Sequence, residues 1–112
     1  MKCTNKRTGE QVAQQVELAN TFLGRLKGLM FRKVLPAQSA LLLDPCPQIH
    51  TCFMHFSIDV VFLDGHNKVV GVIENMKPWR MSKWYLGSKR TLELPAGSLK
   101  ASVQEGDELI FN

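Results

Sequence analysis

The stretch that decides the fold runs from His50 to Asp64 and reads His-Thr-Cys-Phe-Met-His-Phe-Ser-Ile-Asp-Val-Val-Phe-Leu-Asp. Its second half contains Val60-Val61-Phe62-Leu63, an uninterrupted apolar run that is typical of a strand buried on both faces. Its first half sets two histidines, a cysteine and a threonine between aromatic residues. Because unpaired polar groups beside a buried strand cost free energy, this half is where a functional site is expected.

Further apolar runs, separated by turn signals, continue the β pattern around this stretch. Leu41-Leu42-Leu43 predicts a short strand that ends at Asp44-Pro45-Cys46-Pro47, since proline cannot donate to a sheet ladder. Asp64–Asn67 is a turn signal before an apolar strand over residues 69–73. Two later strands are expected at Thr91–Leu94 and Glu108–Phe111.

The N-terminal segment, residues 1–18, predicts a hairpin that turns at Thr8-Gly9-Glu10. Val12, Val16 and Leu18 share one parity, so they are expected to face a core together.

One segment has helical rather than strand periodicity. Asn20 can cap a helix through its side-chain oxygen, and apolar residues recur after it at helical spacing. They are Phe22, Leu23, Leu26, Leu29 and Met30. The pattern predicts a helix between Asn20 and Met30. With the strands, it predicts a mainly β protein: a single-domain β-sandwich or partly open β-barrel with one short helix in its N-terminal half.

The composition is that of one ordinary globular domain. The chain has 112 residues, 45% of them hydrophobic and 21% charged, so we expect a single domain over residues 1–112. The formal net charge of +4 requires neither nucleic acid nor a membrane. No apolar run approaches the ~20 residues that span a bilayer, and the first residues lack the apolar part of a signal peptide. We expect a cytoplasmic protein with no membrane partner and three reduced cysteines.

Three fragments of the chain together resemble a known family. They are Arg25–Arg32, Ile49–Phe56 together with Ile58-Asp59-Val60, and Leu92–Gly97 followed by Gly106–Leu109. In this order and spacing they resemble the bacterial and archaeal family catalogued as domain of unknown function 192. The resemblance implies a compact β-sandwich or partly open barrel with a short helix near the N-terminus. It implies no established activity.

The segment 76–90 is the least regular part of the chain. It carries five positive charges and no negative one, together with both tryptophans and the only tyrosine. Such a loop could stack bases and hold phosphates, which makes weak nucleic-acid binding one hypothesis. The alternative is that Trp79 and Trp84 pack the loop onto the domain while the lysines are solvated. No known nucleic-acid-binding motif supports the first hypothesis, so we expect no nucleic-acid partner.

Two kinds of chemistry are conceivable around His50. Cys46, His50, Cys52 and His55 are metal-ligand types, but on a strand His55 would point away from the other three. Cys52 with His50 could form a nucleophile and base, yet reactive thiols usually lie at helix N-termini or beside fixed positive charge. The alternative is that the cysteines are small buried hydrophobes and the histidines line a pocket. We expect no metal, no cofactor and no catalytic residue.

Polar residues from separate elements instead predict a ligand pocket beside the core. The candidates are Arg25, Arg32, His50, Thr51, Met54, His55, Asp59, Trp79 and Glu93. Asp59 directly precedes the apolar strand and needs a partner if it is buried, for which an arginine is suited. A bend at Ser57 could bring Arg25, His50, Asp59 and Trp79 to one opening. The alternative is a structural salt bridge that fixes the helix on the sheet.

These patterns favour a small binding or accessory domain over an enzyme. The pocket would hold a small polar or anionic ligand. A metal- or cysteine-dependent enzyme that uses the His50-Cys52-His55 region, and a weak nucleic-acid binder that uses residues 76–90, are the alternatives.

Overall fold

A computed structural model describes residues 1–21, 29, 32–46 and 48–112. The helix predicted between Asn20 and Met30 falls mostly outside these residues, and none of the described residues is helical. The strands are β1 (Cys3–Asn5), β2 (Gln11–Ala13), β3 (Gln15–Ala19), β4 (Ser39–Leu43), β5 (Ile58–Leu63), β6 (Val69–Met76), β7 (Arg90–Pro95) and β8 (Leu109–Phe111).

These strands form two sheets. The first has three strands in the order β2-β1-β8, and the second has five in the order β3-β4-β7-β5-β6. All neighbours are antiparallel except β3 and β4. The mainly β prediction is confirmed. Within the described residues the strands are separate sheets and not a closed barrel.

Strand β5 is the buried strand that the sequence predicts. All six of its residues are buried, and it pairs with β7 on one side and β6 on the other. Its apolar residues alternate between two cores, because successive side chains of a strand point to opposite faces. Val61 and Leu63 belong to one core, and Val60 and Phe62 to the other.

The first core lies between the two sheets. It joins residues of β1, β2 and β8 to the inner side of the second sheet, for example Cys3, Val12 and Leu109 to Leu92 and Leu94. The second core covers the outer side of the second sheet and contains Leu41, Ile49, Met54, Ile58, Phe62 and Met76. The second sheet is therefore shielded on both faces, which is why its central strands are apolar throughout.

Two details of the sequence prediction are wrong. Leu18, near the end of the edge strand β3, is exposed, although Val12 and Val16 are buried. Residues 50–57 are not the first part of a strand. Phe53 has φ of 63°, a left-handed conformation that ends any extended run, so strand parity does not relate His50 to Cys52.

Candidate binding surface

The segment between β6 and β7, residues 77–89, lies along the outer side of the second sheet; we call it the strap. Although it contains no strand or helix, hydrogen bonds hold it to the rest of the domain at several points along its length. Long ordered loops are uncommon in small domains and are frequently functional.

Thr51 fastens the beginning of the strap. It is fully buried. Its hydroxyl donates to the carbonyl of Lys77 at 2.6 Å and accepts the N–H of Arg80 at 2.8 Å. Its backbone N–H donates to the carbonyl of Arg80 at 2.8 Å, and its carbonyl accepts the N–H of Trp79 at 3.0 Å. One threonine thus makes four hydrogen bonds to three residues of the strap, Lys77, Trp79 and Arg80.

Ser82 fastens the middle of the strap. Its backbone N–H donates to the carbonyl of Ile49 at 2.9 Å, and its hydroxyl oxygen accepts the N–H of Ile49 at 3.0 Å. The side-chain amide of Gln48 donates to the carbonyl of Ser82 at 2.7 Å. Ser82 is buried, so the strap turns this residue inward.

Tyr85 fixes the strap to the sheet by ring packing. Its ring stacks on that of Phe62 in β5, with centroids 3.9 Å apart and planes 20° from parallel. The Tyr85 ring also packs against Gly71 in β6, where an added Cβ atom would overlap the ring. Gly71 therefore provides the space that the ring occupies.

The end of the strap returns to the end of β5. The N–H of Lys89 donates to the carbonyl of Leu63 at 2.7 Å, and the carbonyl of Lys89 accepts the N–H of Cys46 at 2.8 Å. Ser88 is buried beside them. The strap is held at both ends and in the middle, so its outer side has a defined shape.

The outward residues of the strap are large and apolar. The exposed fractions are 57% for Trp79, 70% for Met81, 64% for Trp84 and 91% for Leu86. Phe53 extends this group, because its ring lies 4.8 Å from that of Trp79, centroid to centroid. The strap also carries four cations, Lys77, Arg80, Lys83 and Lys89. We call the surface formed by these cations and the five apolar residues the strap face.

The charge of the strap face is of one sign. Lys77, Arg80, Lys83 and Lys89 are exposed, and no acidic residue occurs between Met76 and Arg90. The ammonium of Lys83 lies 4.9 Å from the centroid of the Tyr85 ring. Exposed aromatic and aliphatic side chains among like charges are typical of a surface that binds something anionic.

Four predicted site residues lie on or beside the strap, and the fifth, His55, follows Met54 in the chain. Trp79 is on the strap face and Thr51 beneath it, while Met54 is buried in the second core. His55 is exposed, and His50 is half-buried. The Nδ1 atom of His50 accepts the backbone N–H of Cys52 at 3.2 Å, which fixes the ring in a local turn.

Asp59 is separated from this group by the sheet. It is fully buried and points to the opposite face of β5 from Val60 and Phe62. Its carboxylate accepts backbone N–H groups of Asn75 at 2.8 Å and of Gly97 and Leu99 at 3.1 Å. Its partners among the described residues are backbone amides rather than an arginine, so it joins β5, β6 and the segment after β7.

Glu93 lies in β7 on the outer side of the sheet, between Leu41 and Val60. Burial raises the pKa of its carboxyl to about 8, although the nearby positive charge of Arg32 opposes the rise. The guanidinium of Arg32 lies 3.4 Å from a carboxylate oxygen of Glu17, in an exposed ion pair. Burial in this apolar layer therefore favours the protonated form of the Glu93 carboxyl.

Two cavities lined by described residues lie away from the strap. One, of about 640 Å³, lies beside β3 and β4 and is lined by Arg32, Glu17 and Leu35 among others. The other, of about 350 Å³, lies between the β2 hairpin and residues 95–103. Arg32 is the one described candidate that lines either cavity. Arg25, the remaining candidate, lies outside the described residues.

The cysteine and histidine candidates do not gather into a metal-binding cluster. Within the described part of the chain, no three histidine, cysteine, aspartate or glutamate side chains are placed to hold one ion. Cys3, Cys46 and Cys52 form no disulfide, and the thiol of Cys46 donates to the carbonyl of Gln48 at 3.0 Å.

Comparison with known proteins identifies the family. The model of domain of unknown function 192, described as "Uncharacterized ACR", matches residues 3–111. The chain belongs to this family. A UPF0127 protein of Pyrococcus furiosus is 34% identical over 116 residues, which cover 96% of either chain. One from Thermococcus sibiricus is 33% identical and covers 94% of this chain and 71% of that protein.

Two solved structures share the fold of this DUF192 chain. A protein of unknown function from Novosphingobium aromaticivorans has a TM-score of 0.86 at 20% identity, covering 99% of this chain and 84% of that one. A putative transcription regulator from Sinorhizobium meliloti has a TM-score of 0.83 at 24% identity, covering 97% and 89%. At these identities the similarity concerns the fold alone.

The sequence did not predict that the large apolar side chains of the strap would be exposed in this DUF192 protein. Met81, Trp84 and Leu86 were not site candidates, because an apolar residue in a sequence is expected to be buried. The available signal was the absence of any period-2 or helical pattern between Lys77 and Lys89. A segment without periodicity has no continuous inward face on which to hide four large apolar residues.

Proposed function

We propose that this protein is a binding or accessory domain that takes an anionic partner on the strap face. The observation that carries the proposal is the outward projection of Trp79, Met81, Trp84 and Leu86 among four exposed cations. Several large apolar side chains exposed within one short ordered segment of a small domain are costly and usually mark an interaction site. The cations determine the sign of charge on the partner.

The surface supports this proposal better than an enclosed pocket does. Asp59 points away from the strap, and neither described cavity includes a strap residue. The proposed binding site for an anionic ligand is therefore an exposed face and not the pocket expected from the sequence. A pre-formed face binds without the cost of ordering a loop, and the anchors at Thr51, Ser82 and Tyr85 supply that order.

Retention on immobilised heparin, a polyanion, tests the proposal. Lys77→Glu reverses a charge on the strap face, while Lys33→Glu does so at an exposed site off the strap. Each lowers the formal net charge from +4 to +2. We expect Lys77→Glu to elute at clearly lower salt than Lys33→Glu. Equal elution of the two variants would mean that only net charge matters and would refute a strap site.

Single-stranded nucleic acid is a second candidate, favoured by the rings of Phe53 and Trp79. Exposed aromatic rings beside cations can stack bases and neutralise phosphates. Fluorescence anisotropy with a labelled thymidine oligonucleotide tests this. Trp79→Ala should weaken binding by roughly tenfold, since stacking on one ring contributes about 1–3 kcal/mol. An affinity that is independent of both Trp79 and salt would exclude this candidate.

A further inference from the structure

We infer that the anionic partner of the strap face is a lipid bilayer surface that carries anionic headgroups. This inference rests on the proposed function, because it names the partner of the same face. Its starting point is the kind of apolar group that projects. Leu86 and Met81 are aliphatic and among the most exposed large apolar side chains described, at 91% and 70%.

These side chains protrude into solvent. Met81 is 70% exposed and Leu86 91% exposed, so most of the surface of each is free to contact a partner. A protruding side chain needs a partner that can open around it, and a fluid bilayer does this without a matching cavity. A protein partner would need a hollow of the right shape for each projecting side chain.

The aromatic residues have the composition of a membrane–water interface. Trp79 and Trp84 are both exposed on the strap, and tryptophan prefers the headgroup level of a bilayer. Leu86 and Met81 would enter the acyl boundary beside them, as the apolar side of an interfacial segment does.

The cations fit the same position. Lys77, Arg80, Lys83 and Lys89 alternate with the apolar residues along the strap. Their aliphatic stems can lie along apolar surface while their charged ends stay at the headgroups. Each contributes an attraction to an anionic leaflet that changes the partition coefficient roughly fivefold.

Other occupants use the strap face less completely. A second copy of the chain would place cations opposite cations, which opposes association. A nucleic acid could use the rings and the charges, but an aliphatic side chain such as Leu86 offers bases no aromatic face to stack on. An anionic bilayer uses the aliphatic, aromatic and cationic groups together.

The inference concerns contact with a membrane surface and not a membrane span. Among the described residues, no helix is long and apolar enough to cross a membrane. The sequence-based expectation of no membrane partner depended on the absence of a long apolar run. A fixed strap with projecting side chains requires no such run.

The tryptophans provide a direct assay on the unmodified full chain. Both tryptophans of the protein lie in the strap, so all tryptophan emission reports on this face. We expect a blue shift, and protection from iodide quenching, with vesicles of phosphatidylcholine and phosphatidylglycerol. Vesicles of phosphatidylcholine alone should give little change, because the electrostatic attraction is missing.

Matched variants locate the contact. Leu86→Ser should weaken partitioning about tenfold, the effect of losing one buried leucine side chain, and Lys77→Glu by at least fivefold. Val34→Ser and Lys33→Glu change exposed residues off the strap and should leave partitioning within about twofold. Circular dichroism of each variant confirms folding before comparison.

The outcomes separate this inference from the proposed function. No partitioning into anionic vesicles, with strap-dependent retention on heparin, would overturn the lipid inference and leave an anionic partner of another class. Equal losses for the strap and off-strap variants would also overturn it. No strap dependence with vesicles, heparin or the oligonucleotide would refute both.

Discussion

At the scale of single residues, Thr51 and Glu93 differ in how their burial is compensated. The Thr51 hydroxyl both donates and accepts a hydrogen bond, so its burial stabilises a definite loop conformation. The carboxyl of Glu93 lies in an apolar layer, and burial raises its pKa although the positive charge of Arg32 opposes the rise. A sequence shows the identity of both residues but not their environments, which long-range pairing creates.

Replacement of Thr51 by valine should loosen the strap. The variant keeps the side-chain volume but leaves the carbonyl of Lys77 and the N–H of Arg80 without their side-chain partner. We expect a loss of about 1–3 kcal/mol in the free energy of unfolding, measured by urea denaturation, and faster proteolysis within residues 77–89. Thr51→Ser keeps the hydroxyl and should lose less. If valine and serine variants were equally stable, the hydroxyl would not be an anchor.

At the scale of elements, periodicity predicted the strands and failed for the strap. Strand β5 could be predicted because its uninterrupted apolar run fits burial on both faces. The segment 50–57 was misassigned because its backbone partners, at Trp79 and Arg80, are distant in sequence and unmarked by any pattern. The shared pocket was predicted by assuming that a bend would reorient Asp59. Strand β5 instead keeps Asp59 on the face opposite the strap.

The contact between the strap and the sheet requires a residue without a side chain at Gly71, because the Tyr85 ring occupies that space. In Gly71→Ala the new Cβ would overlap the Tyr85 ring, which stacks on Phe62. We expect destabilisation by about 1–3 kcal/mol, as is usual for overpacking. Gly65→Ala is the matched control, because its Cβ would meet only a Lys89 side-chain atom at 3.9 Å. Thermal melts that shift equally for both variants would contradict the role of Tyr85 as an anchor.

At the scale of the whole molecule, the second sheet is covered by different means on its two sides. The inner side meets the first sheet, and Asp59 adds hydrogen bonds to β6 and to the segment after β7. The outer side is covered in part by residues 49–54 and the strap. Glu93 lies within that outer layer, so its protonation state affects the stability of the entire domain.

Global stability should therefore depend on pH through Glu93. The carboxyl has a pKa of about 8 when folded, against an ordinary value of 4.5. Between these values the folded protein retains a proton that the unfolded chain has lost, so its stabilising effect is complete below pH 4.5 and decreases as pH rises. The slope is about 1.4 kcal/mol per pH unit, up to a total on the order of 5 kcal/mol.

In Glu93→Gln the contribution of this group to the slope should vanish, because the amide does not titrate. Urea denaturation of both proteins across this range isolates the contribution of Glu93, because all other ionisable groups are common to both. A constant difference in stability between the two proteins from pH 5 to pH 8 would show that Glu93 does not hold its proton in the folded state.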